Sequence, residues 1–298
     1  MATLYDSISW NKRKSILLVV LFFIIISLLG YAFGLYLGSV FVGVAFAIII
    51  STIMTLVSYY SGDSIILKMS HAVEADRKKY PHLVNTVEGL AIASGIMTPK
   101  IYVIEDSAIN AMATGRDPKH ASVTVTTGAI ERLKRDELEG VLAHELAHIR
   151  NYDIRMMMLV VILVGIIALL SDMFLRSLFY GRGKKGSKGG AAGAVIILIG
   201  LVLAILAPII AQLIKLAVSR QREYLADADG ALICRHPNGL ANALRKIKND
   251  KEPLVEAANK ATAHLFIENP LRTFGGKINF LFHTHPPIDE RIKRLEGF

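Results

Sequence analysis

Apolar positions fall into long uninterrupted runs separated by stretches of mixed character. Residues 15–62 contain no Asp, Glu, Lys or Arg. As helix, at about 1.5 Å per residue, that run would extend roughly 72 Å, over twice a hydrocarbon core of about 30 Å. It predicts two membrane crossings, with Gly30, Gly34 and Gly38 placing the turn between them. A second apolar span following at once argues against a cleaved signal peptide. Two later runs are less uniform. Residues 156–171 are uncharged but number only 16, short of the roughly 17–25 that usually span, and Asp172 ends them. Residues 189–214 are long enough, with Pro208 predicting a kink.

Between and after these runs the pattern changes. Residues 63–155 hold 12 basic and 13 acidic side chains. Residues 101–104 and 122–126 have β-branched, strand-like composition, with turn material at 115–118. Residues 136–151 read as a helix, Asp136 as its N-cap and Glu139 as the capping-box partner. A Gly- and Lys-rich linker occupies 181–190. The tail beyond 216 reads as amphipathic helix, with Pro286 and Pro287 at the start of a last helix. The expected organisation is a transmembrane hairpin (1–62), the first part of a polar catalytic unit (63–155), a second apolar pair (156–216) and the rest of that unit (217–298). The fold class is α+β, mainly helical, with a small sheet and up to four transmembrane helices.

Composition supports the membrane reading. Hydrophobic residues make up 53%, charged residues 20%, and mean hydropathy is +0.45, which excludes a disordered chain and fits an ordinary soluble enzyme poorly. The net charge of +9 would suit nucleic acid only if it sat on the folded unit. It divides instead as +2 through residue 62, −1 over 63–155, +5 over 156–216 and +3 beyond. Most of the excess therefore lies by the later apolar runs, where lipid headgroups are the natural partners, and no nucleic acid is expected. Lys12, Arg13 and Lys14 before the first crossing, and Lys68, Arg77, Lys78 and Lys79 after the second, place the N-terminus and polar unit in the cytoplasm. If the later pair also crosses, Arg176, Arg182, Lys184, Lys185 and Lys188 fall outside, against the same rule; that crossing is left open. The lone Cys234 allows no intrachain disulfide and is expected to be buried and inert.

The chemistry centres on His144-Glu145-Leu146-Ala147-His148. Residues i and i+4 share a helical face, so both imidazoles can meet one metal ion, with Glu145 beside a water on it. Catalytic zinc usually keeps three protein ligands and one open position. The best third ligand is Glu223; Asp227, four residues on, then hydrogen-bonds a ligand from behind. Spacing alone equally allows both acids to make surface pairs with Arg220 and Arg222.

These segments resemble the HtpX family of membrane zinc metalloproteases, relatives of the CAAX prenyl proteases. The matching stretches are 110–115, 126–128, 136–148 with Asn151 and Asp153, 222–227 and 284–291. The resemblance implies a zincin-like fold, one zinc ion on His144, His148 and Glu223, and Glu145 as catalytic base. It also implies an edge strand, carrying Asn110, Ala111, Met112 and Ala113, that pairs with extended substrate. Met112 stands where many relatives carry Phe. His285 and Arg291 are candidate oxyanion or transition-state donors. His71, His82, His120, His236, His264 and His283 are expected at the surface. The implied activity is hydrolysis of misfolded or damaged membrane proteins at the cell (cytoplasmic) membrane. A membrane zinc hydrolase of another substrate class, or a non-catalytic membrane scaffold, is the competing reading.

Overall fold

The computed structural model describes residues 4–163, 165–166, 220–250, 265–267 and 286–298. Two long helices open the chain, α1 (Leu4–Leu37) and α2 (Val40–Met69), and each is long and apolar enough to cross a membrane, over Ile8–Tyr31 and Val40–Met69. They form an antiparallel hairpin whose turn is Gly38, at a φ of +79° that suits glycine. The expectation for Gly30 and Gly34 is corrected: both lie inside α1 and face α2, where a Cβ on Gly30 would stand 2.6 Å from the Gly43 carbonyl oxygen and one on Gly34 2.8 Å from Val40 Cα. They are contact points between two backbones, as small residues commonly are between membrane helices.

A four-stranded mixed sheet follows, built from β1 (Val73–Glu74), β2 (Lys100–Ile104), β3 (Ala111–Asp117) and β4 (His120–Thr126), in the order β1-β2-β4-β3. β2 and β4 pair in parallel, from Lys100 with Ser122 to Ile104 with Thr126; the other pairs are antiparallel. The 115–118 turn is also corrected. Gly115 to Asp117 stay in β3 across a register irregularity, and Pro118 and Lys119 make the hairpin. β3 lies at one edge of the sheet, whereas β4 is paired on both sides.

Helix α3 (Pro81–Ser94) and the short α4 (Thr127–Arg132) flank the sheet, and α5 (Arg135–Arg150) carries the HExxH residues. Its N-cap is Lys134, whose backbone N–H donates to Glu137 Oε2 at 2.7 Å, two residues earlier than the sequence suggested. Glu137 prevails because it is buried and held by Lys246 at 2.6 Å, while Glu139 is only partly buried. Residues 153–163 are again helical; Leu159, Val160 and Leu163 pack on Leu18, Phe22, Ile25 and Ile26 of α1. Three helices complete the described fold: α6 (Arg220–Cys234), α7 (Pro237–Asn249) and α8 (Ile288–Leu295). The main core joins α3, α5, α6, α7 and α8 to the inner face of the sheet, with Val123, Val125, Leu142, Leu146 and Leu244 fully buried.

The hairpin and the polar unit are joined by specific polar contacts as well as apolar packing. Asp63, near the end of α2, accepts hydrogen bonds from Thr114 of β3 and from Ser122 of β4, the latter at 3.0 Å. Ile66 packs with Met112, Met157 and Phe266. The end of the third apolar run (167–171), the fourth run and the basic linker lie outside the described residues.

Candidate metal centre

His144 and His148 lie one turn apart on α5, their rings perpendicular with centroids 4.7 Å apart. Both Nε2 atoms point the same way and stand 3.2 Å from each other. Glu223 enters from α6, with Oε1 3.6 Å from His148 Nε2 and Oε2 3.8 Å from His144 Nε2. One ligand atom from each of the three lies within 4.8 Å of the others, and all three side chains are buried. Gly230 permits this convergence: a Cβ there would press on the His144 backbone nitrogen at 3.0 Å, so α6 can approach α5 only without a side chain.

The imidazoles are held from behind. His144 Nδ1 meets Asp227 Oδ1 at 3.0 Å, and His148 Nδ1 meets Asp153 Oδ2 at 3.0 Å. A carboxylate on each Nδ1–H fixes the tautomer that leaves Nε2 a lone pair towards the shared centre. Arg291 of α8, fully buried at 0% exposure, clamps Asp227 with two bonds, Nε to Oδ2 at 2.9 Å and Nη2 to Oδ1 at 2.7 Å. Its Nη1 stands 3.6 Å from Glu223. Asn11 of α1, also buried, donates to Asp153 Oδ1 at 2.6 Å and to the Asn151 carbonyl at 3.0 Å.

Electrostatics follow from this crowding. Burial holds His144 below the usual histidine value, with Arg291 and His148 acting in the same direction and Asp227 opposing them. Burial also works against charge on His148, but the Asp153 hydrogen bond and the carboxylates of Glu223 and Glu145 outweigh it, raising it to about 9. Asp227 is lowered to about 2: burial resists, and Arg291 and His144 prevail. Two imidazole nitrogens and a carboxylate, each aimed inward, form the donor set that suits a catalytic zinc ion.

The remaining sequence candidates divide. Glu145 is buried beside this group, near enough to His148 to act on its charge. Asn110, Ala111, Met112 and Ala113 are buried at the start of β3. Thr126 Oγ1 holds the Asn110 backbone, accepting from its N–H at 3.0 Å. Leu265–Ile267 runs along the outer side of β3, bridging Met112 through Phe266, with Ile267 N–H donating to the Ala111 carbonyl at 3.1 Å. His285, His264 and His283 lie outside the described residues, and His71, His82, His120 and His236 are exposed. Cys234 is half-buried rather than buried, and burial raises its thiol pKa. Asp153 and Asn11 are the supports that sequence reasoning left without a role. Asp153 carried a faint signal, five residues past His148; Asn11 carried none.

Comparison with known proteins adds three findings. The model of peptidase family M48 matches residues 77–298. A protein named protease HtpX homolog from Caldanaerobacter subterraneus subsp. tengcongensis is 48% identical over 297 residues, covering 99% of this chain and 98% of the relative. One of the same name from Dictyoglomus thermophilum is 45% identical over 98% of this chain and 94% of its own. The crystal structure of S. mikatae Ste24p aligns with a TM-score of 0.49 at 21% identity, over 84% of this chain and 57% of that one.

Proposed function

The chain belongs to peptidase family M48 and is a membrane metalloprotease; on that basis we propose that His144, His148 and Glu223 hold one zinc ion and that Glu145 is the general base. The observation that supports this most is the inward convergence of both Nε2 atoms and the Glu223 carboxylate, each histidine backed by an aspartate. Zinc bound there would supply Lewis acidity, bringing a water within reach of deprotonation near neutral pH and polarising the scissile carbonyl.

The chain's own residues do the rest. Glu145 takes the proton from the attacking water and returns it to the leaving amine. Asp227 and Asp153 keep both imidazoles in the ligating tautomer. With Nε and Nη2 engaged by Asp227, Arg291 is a positioning residue rather than an oxyanion donor. Extended substrate adds to the β3 edge at Ala111–Ala113 by β-strand pairing, in exchange for the Phe266 bridge. Substrates are unfolded or damaged membrane proteins, brought to the site by the shared bilayer, and the polar unit faces the cytoplasm.

The test pairs metal analysis with cleavage of an unfolded protein such as casein. Glu223→Gln is expected to lose zinc and activity together. Glu145→Gln is expected to keep about one zinc per chain while cleavage falls at least 10²-fold. Wild-type cleavage by Glu145→Gln, or full zinc in active Glu223→Gln, would overturn the assignment.

A further inference from the structure

The turn after α5 also lines a cleft that shares no residue with the metal centre. Tyr152 adopts a left-handed φ of 61°, a conformation that bulky side chains rarely take. Its ring lies 4.3 Å from Lys12 Nζ and 5.1 Å from Arg155 Cζ. These three residues line a cleft of about 570 Å³ together with Asp117 and Lys119 of the β3–β4 hairpin and Met97 after α3.

Three cations therefore face one carboxylate, and that carboxylate is engaged elsewhere. Asp117 accepts from the backbone N–H groups of Lys119 and His120 at 2.9 and 3.0 Å, pairs with the His120 ring, and lies 3.7 Å from Arg116. Arg155 spends Nε on the Arg116 carbonyl at 2.6 Å. Among the described residues, no carboxylate forms an ion pair with Lys12, Lys119 or Arg155. Met97, 61% exposed, adds an apolar side chain to the lining.

Position supplies the second argument. Lys12 stands in the opening turns of the candidate span Ile8–Tyr31. Arg155 and Arg116 lie over Tyr59 of α2 at 5.9 and 5.8 Å, and Arg116 over Tyr60 at 5.1 Å. Tyrosines and cations gathered at the same end of two membrane helices mark the level of the bilayer surface.

We propose that this cleft binds the phosphate of an anionic phospholipid headgroup, held by Lys12, Lys119 and Arg155, with Met97 against the glycerol and upper acyl chain. Free phosphate ion shares the charge chemistry but has no use for the apolar side chain of Met97. The site is separate from the metal centre and adjoins it in sequence at two places: Lys12 follows Asn11, and Tyr152 and Arg155 flank Asp153. The inference does not depend on which bond the metal centre cleaves.

The full-length protein in neutral detergent is titrated with short-chain phosphatidylglycerol, with phosphatidylcholine of equal chain length, and with inorganic phosphate. Bound lipid is counted by native mass spectrometry, and Tm is followed in parallel. Phosphatidylglycerol is expected to bind and raise Tm, and phosphatidylcholine to do neither. Lys12→Gln with Lys119→Gln should weaken phosphatidylglycerol about 25-fold, roughly fivefold per lysine. The single hairpin variant Lys119→Gln, at an exposed turn, should give the fivefold step alone. Equal retention of both lipids, or undiminished phosphatidylglycerol binding by the double variant, would overturn the proposal. Inorganic phosphate matching phosphatidylglycerol at equal concentration, and losing its effect in the same variants, would overturn the lipid assignment in favour of a free-phosphate site.

Discussion

Asp153 accepts from Asn11 and meets His148, so a single carboxylate joins α1 to a proposed metal ligand. Asp153→Asn should weaken zinc binding about 10–100-fold, measured by competition with a chromogenic chelator; unchanged affinity would remove Asp153 from the support of the site. Protonation gives a second check. In metal-free protein His148 sits at about 9, above its unfolded value of about 6.5. Its pairing therefore adds stability that is full below about pH 6.5 and is lost as pH rises through about 9. Asp227, at about 2, has the opposite sign: its contribution is present above about pH 4 and lost as pH falls through about 2. Metal uptake must displace the His148 proton, so zinc affinity should climb between pH 6 and 8 by up to about tenfold per unit. Isothermal titration in two buffers of different ionisation enthalpy would count the released proton, and a count of zero would contradict the raised value. The ligand pair and Glu145 were legible because i and i+4 on one helix is a local relation. Asp227 was legible for the same reason, four residues from Glu223. The Asp153 contact was not, because it depends on the left-handed turn at Tyr152, and non-glycine residues give little sign of such a turn.

At the scale of elements, sequence and structure agree where periodicity is strong and part where two partners compete. The apolar run gave both long helices, yet assigned Gly30 and Gly34 to a turn that Gly38 makes alone. Glycine marks a bend and a close helix contact with the same letter, and only the partner helix tells them apart. The start of α5 was misplaced by two residues because Glu137 and Glu139 are equivalent locally, and Lys246, 109 positions away, selects Glu137. Gly30→Leu should force the hairpin apart, since the new side chain has no room against Gly43 and Ala47. Overpacking of this kind typically costs about 1–3 kcal/mol, readable as a lower Tm in detergent. The same substitution at Gly89, where a Cβ meets nothing within 4 Å, should leave Tm within a degree or two or raise it slightly. Equal losses at the two sites would mean that the α1–α2 contact is not what Gly30 serves.

At the scale of the molecule, the charge pattern bears on orientation. With Cys234→Ser as background, Lys78→Cys places one exposed thiol in the segment that follows α2. If the polar unit faces the cytoplasm, a membrane-impermeant maleimide should label inverted vesicles and spare intact cells; labelling of intact cells would reverse the topology. The sequence distinguished apolar helices from a polar unit, but it gave no sign that the two share a hydrogen-bond network. Asn11 lies 142 positions from Asp153, and polar residues just before an apolar run ordinarily face water. The bond between them makes α1 more than a tether. A chain whose first helix has not been seated lacks one support of His148, so its hold on the metal should be weak. Trimming α1 to obtain a freely diffusing enzyme should then lower its affinity for the metal. On that reading, the bond that steadies the histidine would tie metal loading to arrival at the bilayer.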